Sequence, residues 1–201
     1  MFLQVNETAG FLQKIKQFDH ILFSKINGEW HNSFLDGLFP FTRETFFWLP
    51  FYFFLLLFIT INFKIKGWLW VMFFAGTIIF SDFVSSVIIK ENIMRLRPCN
   101  DPMLADKIRF LVKYCPGSSS FTSSHACNHF AAAMFIFTTL KIILGKWRWL
   151  IFLWAIIPSY AQVYVGVHFP ADIIGGAAAG ILIGYLTAYL FNRTVFLNRQ
   201  T

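Results

Sequence analysis

Three polar clusters interrupt an otherwise apolar chain: Lys90 with Arg97-Pro98, then Ser123-Ser124-His125, then His168 with Asp172. Each has an ordinary structural explanation when taken alone. Lys90 and Arg97 suit basic anchoring at a helix end on a membrane surface, and Arg95 fits that role better than Arg97 does. Ser123 or Thr122 suits a helix N-cap. His168 four residues before Asp172 suits a hydrogen-bonded turn supported by Gly166 and Pro170.

Taken jointly, the clusters are complementary chemistry for a phosphate group. Lysine supplies a mobile point charge and arginine a planar fork for two phosphate oxygens. Unpaired backbone N–H groups at a helix start collect anions, Ser123 and Ser124 add hydroxyl donors, and His125 can carry a proton to or from a reacting group. A neutral His168 imidazole can attack phosphorus if Asp172 holds its other ring nitrogen. His125 and His129 also have the i, i+4 spacing of helical zinc sites. Ala126 stands where the zinc-protease pattern needs Glu, however, and no third ligand is evident, so no metal is expected and His129 reads as a residue that packs or that supports the site from behind.

The elements that must position these groups are membrane helices. A composition of 57% apolar and 20% aromatic residues, with only 13% charged, leaves too little polar surface to coat a soluble globule. Long apolar runs occupy Phe46 to Phe63, Trp68 to Ile89, Ala126 to Leu144, Trp149 to Val165 and Ile173 to Phe191. At ~1.5 Å per residue each is about long enough for a ~30 Å hydrocarbon core.

The expected fold is therefore an all-α integral-membrane helical bundle with about five transmembrane helices. An N-terminal amphipathic helix, about residues 8–28, would lie at the interface. There Phe11, Leu12, Ile15, Phe18, Ile21, Leu22 and Ile26 recur at helical spacing, opposite Lys14, Lys16, Gln17, Asp19 and Lys25. Without a compact apolar core after a basic start, or a small-residue cleavage site, this stretch does not read as a signal peptide.

No repeat or linker divides residues 1–201, which read as one membrane-embedded unit with a single long loop at 91–121. Within that loop Cys99 and Cys115 could form a disulfide or remain two free thiols, while Cys127 sits inside a span. Asp82 shares a helical face with Ser85, Ser86 and Lys90, and a hydrogen bond to a neighbouring span is its expected role. Trp68, Trp70, Trp147 and Trp149 read as interfacial anchors.

Five spans place all three clusters on one side of the membrane. The opposite loops carry Lys64 and Lys66, then Lys141, Lys146 and Arg148, then Arg193 and Arg199, without Asp or Glu. Short basic loops mark the cytoplasmic side, so the chemistry is expected to face outward. The net charge of +7 is then mostly a topology signal, and no basic stripe with exposed aromatics points to nucleic acid.

From about Asp82 to Gly176 the chain resembles the type 2 phosphatidic acid phosphatase superfamily of integral-membrane lipid phosphatases. That family's pattern is Lys with Arg-Pro seven residues on, a Pro-Ser-Gly-His turn, and Ser-Arg followed by His and Asp at fixed spacing. Lys90, Arg97 and Pro98 satisfy the first element, Ser123 and His125 keep the key residues of the second, and His168 and Asp172 complete the third. Thr122 and Ser124 stand in place of the family's Pro and Gly, and Ala161-Gln162 in place of its Ser-Arg. Neutral Gln162 offers an amide donor but no charge, leaving Arg95, Arg109 or Lys113 as candidates to compensate.

The resemblance implies metal-independent hydrolysis of a lipid phosphate or diphosphate through a phosphohistidine on His168, needing no cofactor. Asp172 would orient that ring and His125 transfer protons, while Lys90, Arg97, Ser123, Ser124 and Gln162 bind phosphate. Undecaprenyl diphosphate leads as substrate, followed by lipid A phosphate, phosphatidylglycerol phosphate and phosphatidic acid. A lipid phosphotransferase or a non-catalytic lipid-phosphate binder stays open, as does the oligomeric state. The implied location is a bacterial inner membrane with the site facing the periplasm.

Overall fold

The computed structural model describes residues 2–104, 107–195 and 197, which are predominantly helical with no β-strand among them. Six helices carry the architecture: α1 (Phe2–Ser24), α2 (Ser33–Thr42), α3 (Leu49–Phe83), α4 (Ser124–Thr139), α5 (Leu150–Tyr164) and α6 (Pro170–Thr194). Three helical stretches are long and apolar enough to cross a membrane: Thr45–Asn92, Lys141–Tyr164 and Pro170–Thr194. The first is itself two arms. Lys64 breaks the helix with φ 50° and ψ −123°, and Tyr52 lies 6.5 Å in ring centroids from Phe74, so the chain doubles back there. The expected third span breaks at Leu140, between α4 and the helical turn Lys141–Leu144, and α4 alone, at 16 residues, is shorter than the ~30 Å core by ~6 Å.

Between apolar helices in lipid, close packing rather than water exclusion holds a bundle together. The α4–α6 seam uses it fully. Gly176, Gly180 and Gly184 present one face of α6 to the α4 backbone, where a Cβ on Gly176 would fall 2.5 Å from the Ser123 carbonyl oxygen and one on Gly180 would fall 2.9 Å from the Ala131 nitrogen. Toward the other end of the bundle, Trp70, Phe135 and Phe191 are buried together. Trp70 donates its indole N–H to Thr139 Oγ1 at 2.8 Å, so it is a core residue and not the expected interfacial anchor. It lies about 200° around the helix from Trp68, which is exposed as expected, like Trp147 and Trp149.

α1 also departs from the expected two-sided pattern. Ile15, Phe18 and Ile21 point outward and Lys14, Lys16, Gln17 and Lys25 are exposed, but Asp19 is buried with Phe23. The helix turns a third, narrow stripe to the bundle. The side chains of Phe11 and Leu12 lie outside the description, as do residues 105 and 106 of the long loop and Arg199.

The loop is tied to the bundle at several points. Cys99 and Cys115 form a disulfide with 6.0 Å between Cα atoms. The Asn27 amide donates to the carbonyls of Arg109 and Tyr164 at 2.8 Å each, and Arg109 pairs with Asp36 at 2.6 Å. The Arg109 guanidinium and then the Tyr164 hydroxyl hold the Asp36 carboxyl below its ordinary pKa.

Replacing Gly180 with Leu is expected to force α6 away from α4 and to destabilise the protein by about 1–3 kcal/mol. Thermal unfolding in detergent checks this, and a melting temperature equal to wild type would contradict the close seam.

Candidate active site

α6 opens at Pro170, whose fixed φ suits a first helical turn, and the turn before it is made by Gly166 at φ +89°. That turn brings His168 and Asp172 to one spot, both buried. His168 Nδ1 lies 3.4 Å from Asp172 Oδ2. The same carboxylate accepts from Ser120 Oγ at 2.5 Å and from the Phe169 N–H at 2.8 Å on Oδ2, and from Arg95 Nη1 at 2.6 Å on Oδ1.

Arg97 stands on the other edge of the imidazole. Its Nη1 is 3.0 Å from His168 Nε2, and since a guanidinium only donates, Nε2 is the acceptor and Nδ1 carries the proton toward Asp172. Further bonds to Val167 O at 3.1 Å and to Ser118 O at 3.0 Å fix the Arg97 fork. The in-plane lone pair of His168 is thus turned toward the Arg97 fork, where an anion taking over that donor would meet it. Burial drives the His168 pKa down to about 4, with Arg97 and Lys90 pushing the same way against Asp172, so the ring is neutral at physiological pH.

Arg95 is not the plain surface anchor expected of it. It bridges Asp172 and Asp19 and stacks over Phe169 at 4.3 Å, while Asp19 also accepts the Ala171 N–H at 2.8 Å. Two arginines two positions apart thus divide the work, Arg95 toward the carboxylates and Arg97 toward the imidazole.

The second cluster closes the site from α4. Ser123 is the N-cap, accepting from the Ala126 N–H at 3.4 Å, and its own N–H donates to Asp172 O at 3.1 Å. Thr122, the other candidate cap, leaves its buried hydroxyl unpaired. Ser124 Oγ accepts from Lys90 Nζ at 2.8 Å and lies 2.8 Å from Ser86 Oγ. Asp82, as expected, bonds across to a neighbouring helix through the Asn128 amide at 2.9 Å. His129 packs edge-on against Trp154 at 5.0 Å, as a packing residue should.

His125 lines a cavity of about 280 Å³ with Ser124, Asp82, Asn128, His129, Tyr52 and Thr45. A second, apolar cavity of about 300 Å³ shares Thr45, Tyr52 and Ile78 with it and continues between Leu55, Trp70 and Phe74. A polar chamber beside the histidine thus leads into an apolar one between the arms of α3.

Gln162 is 1% exposed, and its amide nitrogen has no partner. Its backbone carbonyl accepts the N–H groups of Val167 and His168 at 3.1 and 3.3 Å, which places the residue directly behind the His168 turn. Ser120 and Asp19 join the site without having been offered by the sequence, and Arg95, offered as a phosphate base, binds carboxylates instead. Ser120 had no signal in a run of serines, whereas an Asp on an otherwise basic helix face was a readable one.

The PAP2 superfamily profile matches residues 70–196, which span the three clusters. The chain belongs to the PAP2 superfamily. Among its relatives, a lipid A 4'-phosphatase of Porphyromonas gingivalis is 30% identical over 197 residues, covering 92% of this chain and 79% of that protein. Another lipid A 4'-phosphatase, from Bacteroides thetaiotaomicron, is 34% identical over 151 residues, covering 73% of this chain and 65% of that one. The fold is shared with the PAP2-type phosphatidylglycerolphosphate phosphatase of Bacillus subtilis, at a TM-score of 0.61 and 22% identity over 90% of this chain and 88% of that one.

A neutral buried histidine makes stability depend on pH in a definite direction. Its folded pKa lies below the unfolded value of ~6.5, so its contribution is full above that value and is lost as pH falls toward about 4. The melting temperature should drop over this window, and less steeply in His168→Gln. Equal slopes in both proteins would contradict a neutral, buried His168.

Proposed function

We propose that this PAP2 enzyme, a lipid phosphate phosphatase, removes a phosphate monoester from a lipid with a hydroxyl-rich head group of the lipid A kind. The polar chamber against His125 carries the proposal. Carboxylate, amide, imidazole and hydroxyl groups from Asp82, Asn128, His129, Tyr52 and Thr45 suit the hydroxyls of a sugar, and the apolar cavity beyond suits acyl chains. A prenyl diphosphate, first in the sequence-based ranking, offers that chamber no hydroxyls. The two lipid A 4'-phosphatases of similar sequence support the same order.

In this mechanism His168 Nε2 attacks phosphorus as the bond to the lipid oxygen breaks, and His125 protonates the departing oxygen. His125 then takes a proton from water, which attacks the phosphohistidine, releases inorganic phosphate and restores His168. Asp172 holds the ring through Nδ1–H and stabilises its charge. Lys90 and Arg97 stabilise the oxygens on which charge develops, with Ser123, Ser124 and Gln162 as neutral donors. The Cys99–Cys115 disulfide and the basic Lys64 and Lys141–Arg148 turns support a site open to the periplasmic side of a bacterial inner membrane.

His168→Ala is expected to fold and to lose turnover by about a thousandfold or more. Phosphate release in detergent, with chelator present, across lipid A, undecaprenyl diphosphate, phosphatidylglycerol phosphate and phosphatidic acid tests both parts. Near-normal hydrolysis by the variant would remove His168 from the chemistry, and preference for undecaprenyl diphosphate would overturn the sugar-chamber assignment. For orientation, Lys107→Cys in a Cys-free background should react with an impermeant thiol reagent on intact cells. Labelling only after lysis would place the site in the cytoplasm.

A further inference from the structure

Neutral Gln162 leaves the phosphate site with two evident cations, Lys90 and Arg97. Neither arginine offered by the sequence as a substitute is free to serve. Arg95 is held between Asp19 and Asp172, and Arg109 between Asp36 and the Asn27 carbonyl, the latter at 3.1 Å. Lys113 is exposed on the loop.

Arg43 has the properties those residues lack. It closes α2, donating its backbone N–H to Phe39 O at 3.2 Å. The turn that follows is fixed by Trp48, whose indole N–H donates to the Thr42 carbonyl at 2.7 Å. Thr45, two residues beyond Arg43, lines the polar chamber with Ser124 and His125. The Arg43 side chain is 13% exposed, and its Nε is buried with no acceptor. Its nearest carboxylate, Glu44, is 56% exposed and stands 3.8 Å away, beyond hydrogen-bond distance. Burial lowers the Arg97 pKa, and the charge of Arg43 adds to it in the same direction. A buried Nε–H without an acceptor is costly, and a cation placed among other cations is stabilised when an anion joins them.

We infer that Arg43 is a substrate-binding residue, the third cation of the phosphate site, whose guanidinium takes phosphate oxygens from the α2–α3 turn where Gln162 brings no charge. This rests on the phosphatase reading of the site. The anion could belong to a lipid phosphate or to free inorganic phosphate. The shared chemistry is a tetrahedral oxyanion, and the two sources are separable by measuring both.

The test compares full-length wild type, Arg43→Gln and Arg43→Lys in detergent, each checked for folding by circular dichroism and gel filtration. Inhibition constants for vanadate and inorganic phosphate are measured beside KM and kcat for the lipid phosphate. Arg43→Gln should weaken both inhibitors by about ten- to a hundredfold and raise KM for the lipid. Arg43→Lys keeps a charge but loses the fork, and should fall between the two. If Arg43→Gln does not fold, Arg43→Lys decides, with a several-fold weaker vanadate inhibition expected. Inhibition unchanged from wild type in a folded variant would overturn the assignment of Arg43. A higher KM for the lipid with inhibitor constants unchanged would also overturn it, because the residue would then touch the head group and not the oxyanion. A wild type that neither hydrolyses lipid phosphates nor binds vanadate would overturn the phosphatase reading and this inference with it.

Discussion

Keeping a carboxylate ionised without solvent costs several kcal/mol unless donors surround it. Asp172 is 0% exposed and has such donors from separate parts of the chain: Arg95, Ser120, the Phe169 N–H and His168. Through these bonds the loop after α3, the turn before α4 and the start of α6 are fixed to a single point. Arg95 extends the connection to Asp19, so α1 is held by the same charge. With its carboxylate spoken for on every side, Asp172 can orient His168 but has no freedom to move with it. The imidazole consequently sits in one tautomer, with its one in-plane lone pair on Nε2.

That lone pair faces Arg97, while His125, the proposed proton carrier, and the Lys90–Ser124 pair stand on α4 and the second arm of α3. The close α4–α6 seam is what makes this approach possible. Without side chains at Gly176 and Gly180, the N-terminus of α4 lies against the first turns of α6, and Ser123 N–H reaches Asp172 O at 3.1 Å. Packing within the membrane and chemistry at its surface are thus connected through one helix pair. The polar chamber and the apolar cavity beside it follow from the hairpin at Lys64, which sets two arms of one apolar stretch side by side.

Much of this was legible in the sequence because the groups proposed to do chemistry are out of place in lipid. Lys90, Arg97, His125, His168 and Asp172 stand against an apolar background at fixed spacing, and all are brought to one region. What could not be read was the division of labour between similar residues. Arg95 and Arg97 differ in role through the partners that only the fold supplies, Asp19 and Asp172 for one and Val167, Ser118 and His168 for the other. Asp19 looked like part of a solvated face because helical spacing separates two faces well but does not reveal a narrow third contact. Trp70 and Trp68 were indistinguishable by type, and the tertiary neighbours Phe135 and Thr139 decided between them. Arg43 lies outside all three clusters, on a turn that only the folded chain brings to the site. The disulfide needed a distance that no sequence contains.

His168 is proposed as the nucleophile, with its ring held ready by Asp172. Rapid acid-free quenching of a reaction with phosphorus-labelled lipid phosphate, followed by peptide mapping, tests this directly. In wild type quenched during turnover, the label should appear as an acid-labile, base-stable phosphoramidate on the peptide containing His168. Label on a serine or another histidine, or steady hydrolysis with no labelled protein at any time, would contradict it.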